Sequence, residues 1–171
     1  MRLSRPLVLG LVLFLGLVAS AAAQQPSTVV YLVRHAEKQD DGSRNPALTA
    51  QGAERARLLS HMLQDAGITH IHSTEFKRTQ LTAAPLAEAT GLEVASYDPR
   101  DLPAFTAWLK ANPGRHLVSG HSNTTPGLVA ALGGEPGEPI EEAEEYDRLY
   151  IVTIDGDGTV TTVLLRYGPA G

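Results

Sequence analysis

A short stretch, VVYLVRHAEK (Val29–Lys38), decides which fold this chain can adopt. Its first five residues, Val29–Val33, are apolar and lack alternating polar positions, which is typical of a strand buried on both faces. The run ends abruptly in an arginine, a histidine and a glutamate. In open α/β sheets, ligands bind beyond the carboxyl ends of the strands. The stretch therefore predicts a central strand that presents Arg34 and His35 at a binding edge.

Strands and helices alternate along the rest of the chain. Three further segments read as strands: ITHIHS, LEVASY and RHLVSGH. The segments between them read as helices, one over residues 50–66 after Thr49 as a cap, and one in which Pro85 predicts a kink or a break. DRLYIVTI and TVTTVLLRY flank the turn DGDG, a hairpin pattern. This order predicts an α/β three-layer sandwich, with a mostly parallel central sheet, helices on both faces and an antiparallel C-terminal hairpin.

Composition excludes several classes of protein. The formal net charge of −5 disfavours nonspecific binding to nucleic acid. The absence of cysteine excludes disulfides and cysteine-ligated zinc, so the apolar core must hold the fold together. If the substrate is an anion, positive charge must be concentrated locally.

The first residues have the layout of a secretory signal peptide. Arg2 and Arg5 precede an apolar run and the small residues of SAAAQ, with cleavage expected after Ala23. The apolar run is roughly 14 residues long, whereas a membrane-spanning helix needs about 20. We therefore expect a signal over residues 1–23, a single domain over residues 24–171, export to the periplasm or medium, and no stable membrane insertion after cleavage. An uncleaved anchor remains the alternative.

Four motifs then follow in order: LVRHAEK, PALTAQGAERA, STEFKRTQLTA and GHSNTTP. In order and spacing they resemble the histidine phosphatase superfamily, the phosphoglycerate mutase-like enzymes with an R-H-G motif. Ala36 departs from the glycine that the family usually has. The resemblance implies a phosphoglycerate mutase-like fold, no cofactor, and a phosphate pocket formed by Arg34, His35, Arg78 and His121, with His35 as the nucleophile.

The chemistry of these side chains agrees with that resemblance. A phosphate monoester carries up to two negative charges, and the planar fork of arginine can hold two of its oxygens. A neutral imidazole at His35 could attack phosphorus, while His121 would bind the transferred group and stabilise charge in the transition state. Ser73 and Asn123 are further candidates for phosphate contacts, near the starts of two helices.

The general acid is open among three carboxylates. By resemblance, many family members place it after the third strand, where Asp98 and Asp101 lie here. Others place an aspartate directly after the second histidine, where this chain has Ser122. Glu37 ranks slightly first, because its short tether to His35 holds it near the site.

Two further patterns are weaker. His70 and His72 form an H-x-H pair on one face of a strand, a spacing that can bind metal. Since no third ligand lies nearby in the sequence, we expect no metal site. The acidic run EEAEEYD (Glu141–Asp147) is expected to be a solvated face.

The sequence thus predicts an exported, metal-independent phosphatase that hydrolyses phosphate monoesters through a phosphohistidine intermediate. Its substrate would be a small-molecule phosphate ester or a phosphorylated macromolecule, and not nucleic acid. Two alternatives stay open: a mutase-type phosphotransferase, and a phosphate-binding domain without turnover.

Overall fold

The computed structural model describes residues 27–169, which form six strands and four helices. The predicted signal segment, residues 1–23, lies outside the described residues. The elements in chain order are β1 (Thr28–Arg34), α1 (Ala50–Leu63), β2 (His70–Ser73), α2 (Lys77–Thr90), β3 (Val94–Ser96), α3 (Leu102–Ala111), β4 (Arg115–Gly120), α4 (Thr124–Leu132), β5 (Arg148–Ile154) and β6 (Val160–Arg166).

The sheet has the strand order β3-β2-β4-β1-β5-β6. The first four strands in that order are parallel, whereas β5 pairs antiparallel with both β1 and β6. All seven residues of β1 are buried, as the unbroken apolar run predicts for a strand in the middle of a covered sheet. The predicted mixed sheet with a C-terminal hairpin is therefore confirmed.

Two apolar layers cover the sheet. On one face, Leu59 of α1 and Leu86 of α2 pack with alternate β1 side chains such as Tyr31. On the other face, Leu109 of α3 and Leu128 of α4 pack with the remaining β1 side chains. The three-layer arrangement is thus confirmed. No helix within residues 27–169 is long and apolar enough to cross a membrane.

Of the kink or break predicted at Pro85, the break does not occur. Helix α2 continues from Lys77 to Thr90 through Pro85 without a break. Proline removes one intrahelical hydrogen bond, but the helix is held by the buried face that it packs against its neighbours, including Ala83 and Leu86. Tertiary packing therefore outweighs the local cost of the proline.

Strand register brings distant parts of the chain to one edge. Arg34, the last residue of β1, pairs with Gly120, the last residue of β4, and the backbone N–H of His35 donates to the Gly120 carbonyl at 2.9 Å. On the other side of β4, Ser73 of β2 pairs with Ser119. A Cβ atom at Gly120 would lie 2.9 Å from the Tyr97 hydroxyl and from Thr125 Oγ1, so a larger residue at the end of β4 would displace these side chains.

Candidate active site

Four of the predicted side chains meet at this edge: Arg34, His35, Arg78 and His121, which we call the candidate pocket. The rings of His35 and His121 lie edge to face with centroids 5.5 Å apart. Arg78 lies in the first turn of α2, and its Nη2 is 3.5 Å from Nδ1 of His121. Arg34 ends β1 beside Gly120, and the charges of both arginines lower the pKa values of both histidines.

His35 is held with one nitrogen open for reaction. Its Nδ1 is 2.8 Å from the Ala36 carbonyl oxygen, which can only accept, so Nδ1–H is the donor. The neutral ring therefore carries its lone pair on Nε2. Burial is the main cause that lowers the pKa of His35 to about 3, and Arg34, Arg78 and His121 lower it further. The ring is thus neutral at neutral pH, which a nitrogen nucleophile requires.

His121 is oriented by a chain of hydroxyl groups. Its Nε2 is 3.1 Å from Thr74 Oγ1, and Thr74 Oγ1 is 2.8 Å from Thr79 Oγ1. Thr79 donates its proton to the Phe76 carbonyl, so Thr79 Oγ1 accepts from the Thr74 hydroxyl. Thr74 Oγ1 in turn accepts from Nε2–H of His121. Nδ1 of His121 is left facing Arg78. Burial, then Arg78 and Arg34, lower the pKa of His121 to about 4.

Arg34 is fixed by a surface loop that includes the acidic run Glu141–Asp147. This segment, residues 138–147, is called the acidic loop below. Nη1 of Arg34 donates to the carbonyls of Glu145 at 2.8 Å and Glu141 at 3.3 Å, and Nη2 donates to the Glu142 carbonyl at 2.6 Å. The Tyr146 ring lies 4.0 Å from the guanidinium carbon and also faces His35. The guanidinium group therefore has one preset orientation.

Each arginine keeps one buried donor without a partner. Among residues 27–169, Nε of Arg34 and Nε of Arg78 have no hydrogen-bond acceptor in the structure. A buried donor that is left unsatisfied costs about 1–3 kcal/mol. Two such donors beside a nucleophilic imidazole are therefore suited to a ligand that supplies acceptor oxygens and negative charge.

Glu37 does not have the arrangement that we expected of a proton donor. Its carboxylate accepts from Nε and Nη2 of Arg55, with a shortest N–O distance of 2.7 Å. The Arg55 side chain is 1% exposed and also donates to the Tyr167 carbonyl. Removing either partner of such a pair leaves a buried charge without compensation. The ion pair makes Glu37 a structural residue and argues against its role as the acid.

Asp98 and Asp101 are also engaged elsewhere. Asp98 is exposed and forms a bidentate ion pair with Arg100, which together with the Arg100 backbone N–H lowers its pKa to about 2. Asp101 caps α3 by accepting from the Ala104 backbone N–H at 3.1 Å. Neither carboxylate is placed by these contacts against the candidate pocket.

The two further phosphate ligands that we predicted differ in their surroundings. Ser73 is buried, and its hydroxyl donates to the Thr74 carbonyl at 2.9 Å, so its single proton is used. This contact argues against Ser73 as a phosphate ligand; its neighbour Thr74 contacts His121 instead. Asn123 is exposed, begins α4, and lines a cavity beside the pocket together with Glu142.

Sequence reasoning missed the acidic loop as part of the site. The expectation of a solvated face is wrong for its backbone, because three of its carbonyls bind Arg34. It also missed Phe76, whose ring packs against His121 and lies 4.4 Å from the guanidinium carbon of Arg78. Backbone carbonyls have no residue signature, so only the fold reveals this contact; for Phe76 the closeness to Arg78 in sequence was the available signal.

A second group of histidines lies in the same sheet, away from the four pocket residues. We call His70, His72 and His116 the histidine cluster. Strand β4 brings His116 beside the H-x-H pair, so a third histidine is close after all. His116 and His72 are joined by a hydrogen bond of 3.2 Å, and His70 stacks on His116 at 4.7 Å. Within residues 27–169, no three such side chains are arranged to hold a metal ion.

The chain resembles known proteins in sequence. The family model described as "Histidine phosphatase superfamily (branch 1)" matches residues 30–100. A protein of Yersinia enterocolitica named "Probable phosphoglycerate mutase GpmB" is 42% identical over 126 residues, covering 70% of this chain and 57% of that protein. A protein of the same name from Serratia proteamaculans is 42% identical over 77 residues, covering 42% of this chain and 35% of the relative. The chain therefore spans only part of the length of these relatives.

Solved structures share the fold. The protein histidine phosphatase SixA complexed with tungstate has a TM-score of 0.65 at 20% identity, covering 81% of this chain and 97% of that one. A mycobacterial glucosyl-3-phosphoglycerate phosphatase has a TM-score of 0.61 at 14% identity, covering 84% and 100%. A phosphoglycerate mutase from Bacillus anthracis has a TM-score of 0.61 at 13% identity, covering 82% and 93%.

Proposed function

We propose, from the premise that this chain belongs to the histidine phosphatase superfamily, that it hydrolyses phosphate monoesters through a phosphohistidine at His35. Members of the superfamily act as phosphatases or mutases. The observation that carries the proposal is the pair of buried Nε–H donors of Arg34 and Arg78 that have no acceptor within residues 27–169. The charges of both arginines act on His35, whose imidazole has its Nε2 lone pair open. Those donors suit a tetrahedral anion beside a nucleophile better than any neutral ligand.

The proposed reaction has two balanced steps. In the first, Nε2 of His35 forms a bond to phosphorus as the bond from phosphorus to the ester oxygen breaks. The electron pair goes to that oxygen, which takes a proton and leaves as an alcohol. In the second, water attacks phosphorus and gives up a proton, the P–N bond breaks, and its electron pair returns to Nε2. Arg34 and Arg78 would stabilise the charge on the transferred oxygens throughout.

The test replaces the nucleophile. We expect His35→Ala to lower phosphate release from an aryl phosphate by about 10³-fold or more, since no other group can form the intermediate. Chelation with EDTA should leave activity unchanged, because the proposed chemistry requires no metal. Acid-labile phosphate should be trapped on the wild-type protein and absent from the variant. His61→Ala, at an exposed position of α1, is the matched control. Full activity of His35→Ala, or complete loss with chelator, would overturn the assignment.

A mutase function is the second candidate, and the names of the 42% identical relatives favour it. A mutase returns its phosphoryl group to a bound product, whereas a phosphatase transfers it to water. Supplying 3-phosphoglycerate and following the phosphorus by NMR separates the two. Isomerisation without release of inorganic phosphate would favour the mutase, and release would favour the phosphatase. Neither result with 3-phosphoglycerate, together with no release from the aryl phosphate, would leave a binding domain without turnover.

We also propose that the protein is exported, on the basis of the N-terminal sequence pattern alone. Its substrate would then be a phosphate ester, small or attached to a macromolecule, that is present outside the cytoplasm. N-terminal sequencing of protein from the cell envelope or medium tests this: a start at Gln24 supports export with cleavage, and a start at Met1 in the cytoplasm contradicts it.

A further inference from the structure

We propose that Glu142, on the acidic loop, is the proton donor to the leaving group. This inference rests on the proposed phosphatase function and names the residue that completes it. The ester oxygen that leaves phosphorus needs a proton unless its alcohol is strongly acidic. The carboxylates expected to supply it are engaged elsewhere: Glu37 with Arg55, Asp98 with Arg100, and Asp101 as a helix cap.

The acidic loop holds the backbone of Glu142 against the pocket. Its carbonyl accepts from Nη2 of Arg34 at 2.6 Å, and the neighbouring carbonyls of Glu141 and Glu145 accept from Nη1. Arg148 anchors the other side of the loop by donating to the Glu138 carbonyl at 2.6 Å and to the Glu145 carboxylate at 2.7 Å. Glu142 thus starts from a fixed point beside the guanidinium group that would bind the phosphoryl oxygens.

Glu142 lines a cavity of about 540 Å³. Ser122 and Asn123, the two residues after His121, line the same cavity. The leaving group of a bound ester could occupy this space, which places its oxygen between the pocket and the carboxyl of Glu142. Burial lowers the pKa values of Arg34 and Arg78, and the charge of Glu142 opposes that effect at both, so its carboxylate is within electrostatic reach of each.

The other glutamates of the loop differ from Glu142. The Glu145 carboxylate accepts from Arg148 and Arg166, and Glu141 Oε1 accepts from the Ala143 backbone N–H. Glu144 is exposed and does not line the cavity. Glu138 is also exposed and does not line the cavity. Among the five glutamates of the loop, Glu142 is therefore the one that combines a side chain without a partner in residues 27–169 with a position beside Arg34, and Glu144 is its matched control.

The proton balance follows from the two proposed steps. In the complex that reacts, the carboxyl of Glu142 carries a proton taken from solvent, and it gives this proton to the ester oxygen as the P–O bond breaks. The resulting carboxylate then takes a proton from the water that attacks the phosphohistidine. One turnover returns Glu142 to its starting form, and the net reaction consumes one water and one ester and yields one alcohol and one phosphate.

The experiment measures kcat/KM of wild type, Glu142→Gln and Glu144→Gln on esters whose alcohols range from nitrophenol to simple alkanols. An acid catalyst matters most for poor leaving groups. We expect Glu142→Gln to lose about 10²-fold or more on alkyl esters and less than about fivefold on the nitrophenyl ester. The dependence of rate on the alcohol's pKa should therefore become steeper, which a change in folding alone would not produce. Glu144→Gln should follow wild type throughout.

Each other outcome overturns the proposal. Equal losses on all esters would make Glu142 a binding or structural residue, and no loss on any ester would exclude it from the reaction. In both cases the phosphatase function would stand, because wild type would still release phosphate through His35. If wild type released phosphate from no ester, the proposed function would fail and the role of Glu142 with it. Since the contact to Arg34 uses the Glu142 backbone, the glutamine variant should unfold at the wild-type temperature.

Discussion

Two groups of histidines lie in one sheet, and their surroundings differ. His35 and His121 belong to the candidate pocket, and His70, His72 and His116 form the histidine cluster. Burial is the main cause that lowers the pKa in both: to about 3 for His35, about 4 for His121, about 3 for His72 and about 4 for His116. By pKa alone, the two groups could not be told apart.

The partners of the rings separate the groups. In the cluster, Nε2–H of His116 donates to the Asn112 carbonyl at 3.0 Å and leaves Nδ1 to accept from His72. The Trp108 ring lies edge-on to the histidine rings, at 5.2 Å from that of His72. In the pocket, two guanidinium groups face the rings and each keeps a buried unpaired donor within the described residues. A functional site is thus indicated by unmet hydrogen-bonding capacity and charge, and a buried histidine by itself is not a signal.

Removing a guanidinium group from the pocket should have the largest effect. We expect Arg78→Ala to lower kcat/KM for an aryl phosphate by about 10²-fold or more, because a charge-assisted contact to the transferred oxygens is lost. Stability should change little, since Arg78 uses its side chain mainly on Phe76 and a 3.5 Å contact to His121. Steady-state kinetics and thermal unfolding measure the two quantities. Lys77→Ala, the exposed neighbour, is the control; equal losses in both variants would contradict a specific role for Arg78.

The reverse pattern is expected in the histidine cluster. His116→Ala removes the partner of both His72 and the Asn112 carbonyl and opens a space beneath two stacked rings. We expect a loss of about 1–3 kcal/mol in the free energy of unfolding, measured in urea, with kcat/KM within about threefold of wild type. A large loss of activity at unchanged stability would mean that the cluster takes part in the reaction.

Acid should destabilise both regions. In the folded protein, four histidines have a pKa below the unfolded value of 6.5: His35, His72, His116 and His121. Between about pH 6.5 and pH 3 the unfolded chain therefore binds more protons, so stability is fully present above pH 6.5 and is lost as pH falls. Trp108, the single tryptophan, contacts the cluster and reports its unfolding by fluorescence. Inorganic phosphate should offset the loss by binding the pocket; equal stability at pH 7 and pH 4.5 would contradict the prediction.

The sequence predicts the fold and the placement of three pocket residues for one physical reason, whereas the set of four is what the family resemblance implies. Parallel strands end at one edge, and the polar residues Arg34, His35 and His121 directly follow apolar strand runs. Arg78 follows from its motif in the first turn of a helix. The hydrogen-bond partners of each carboxylate cannot be predicted from strand ends in the same way. Glu37 is close to His35 in sequence, yet its carboxylate forms an ion pair with Arg55 on α1. Gly52 has no side chain, so α1 can lie close to the Glu37 backbone.

The acidic loop could not be assigned for a related reason. Its sequence is that of a solvated segment, and its side chains partly confirm this, since Glu144 is exposed. Its contribution to the pocket comes from backbone carbonyls that bind Arg34 and from the Tyr146 ring. Contacts of this kind depend on the path of the chain between α4 and β5, which sequence patterns do not encode.

The smallest expected effect concerns one proton at His121. Nε2–H of His121 donates to Thr74, so Nδ1 faces Arg78 as an acceptor. An anion oxygen is also an acceptor, so it can form a hydrogen bond with Nδ1 only after Nδ1 takes up a proton. Nδ1 of His121 is the acceptor that faces Arg78, so the added proton should go to this nitrogen. Sulfate carries no proton near neutral pH, so its binding at pH 7 should take up about one proton from the buffer.

Calorimetry in buffers of different ionisation enthalpy measures that uptake, and sulfate affinity should fall about tenfold per pH unit between pH 6 and pH 8. His121→Asn should abolish the uptake while keeping a polar side chain in place. His116→Ala, in the other group of histidines, should leave it unchanged, because that ring already has a neutral partner at each nitrogen. Sulfate binding without proton uptake would mean that His121 presents its other nitrogen to the anion, and the direction of the Thr74 chain would have to be reversed.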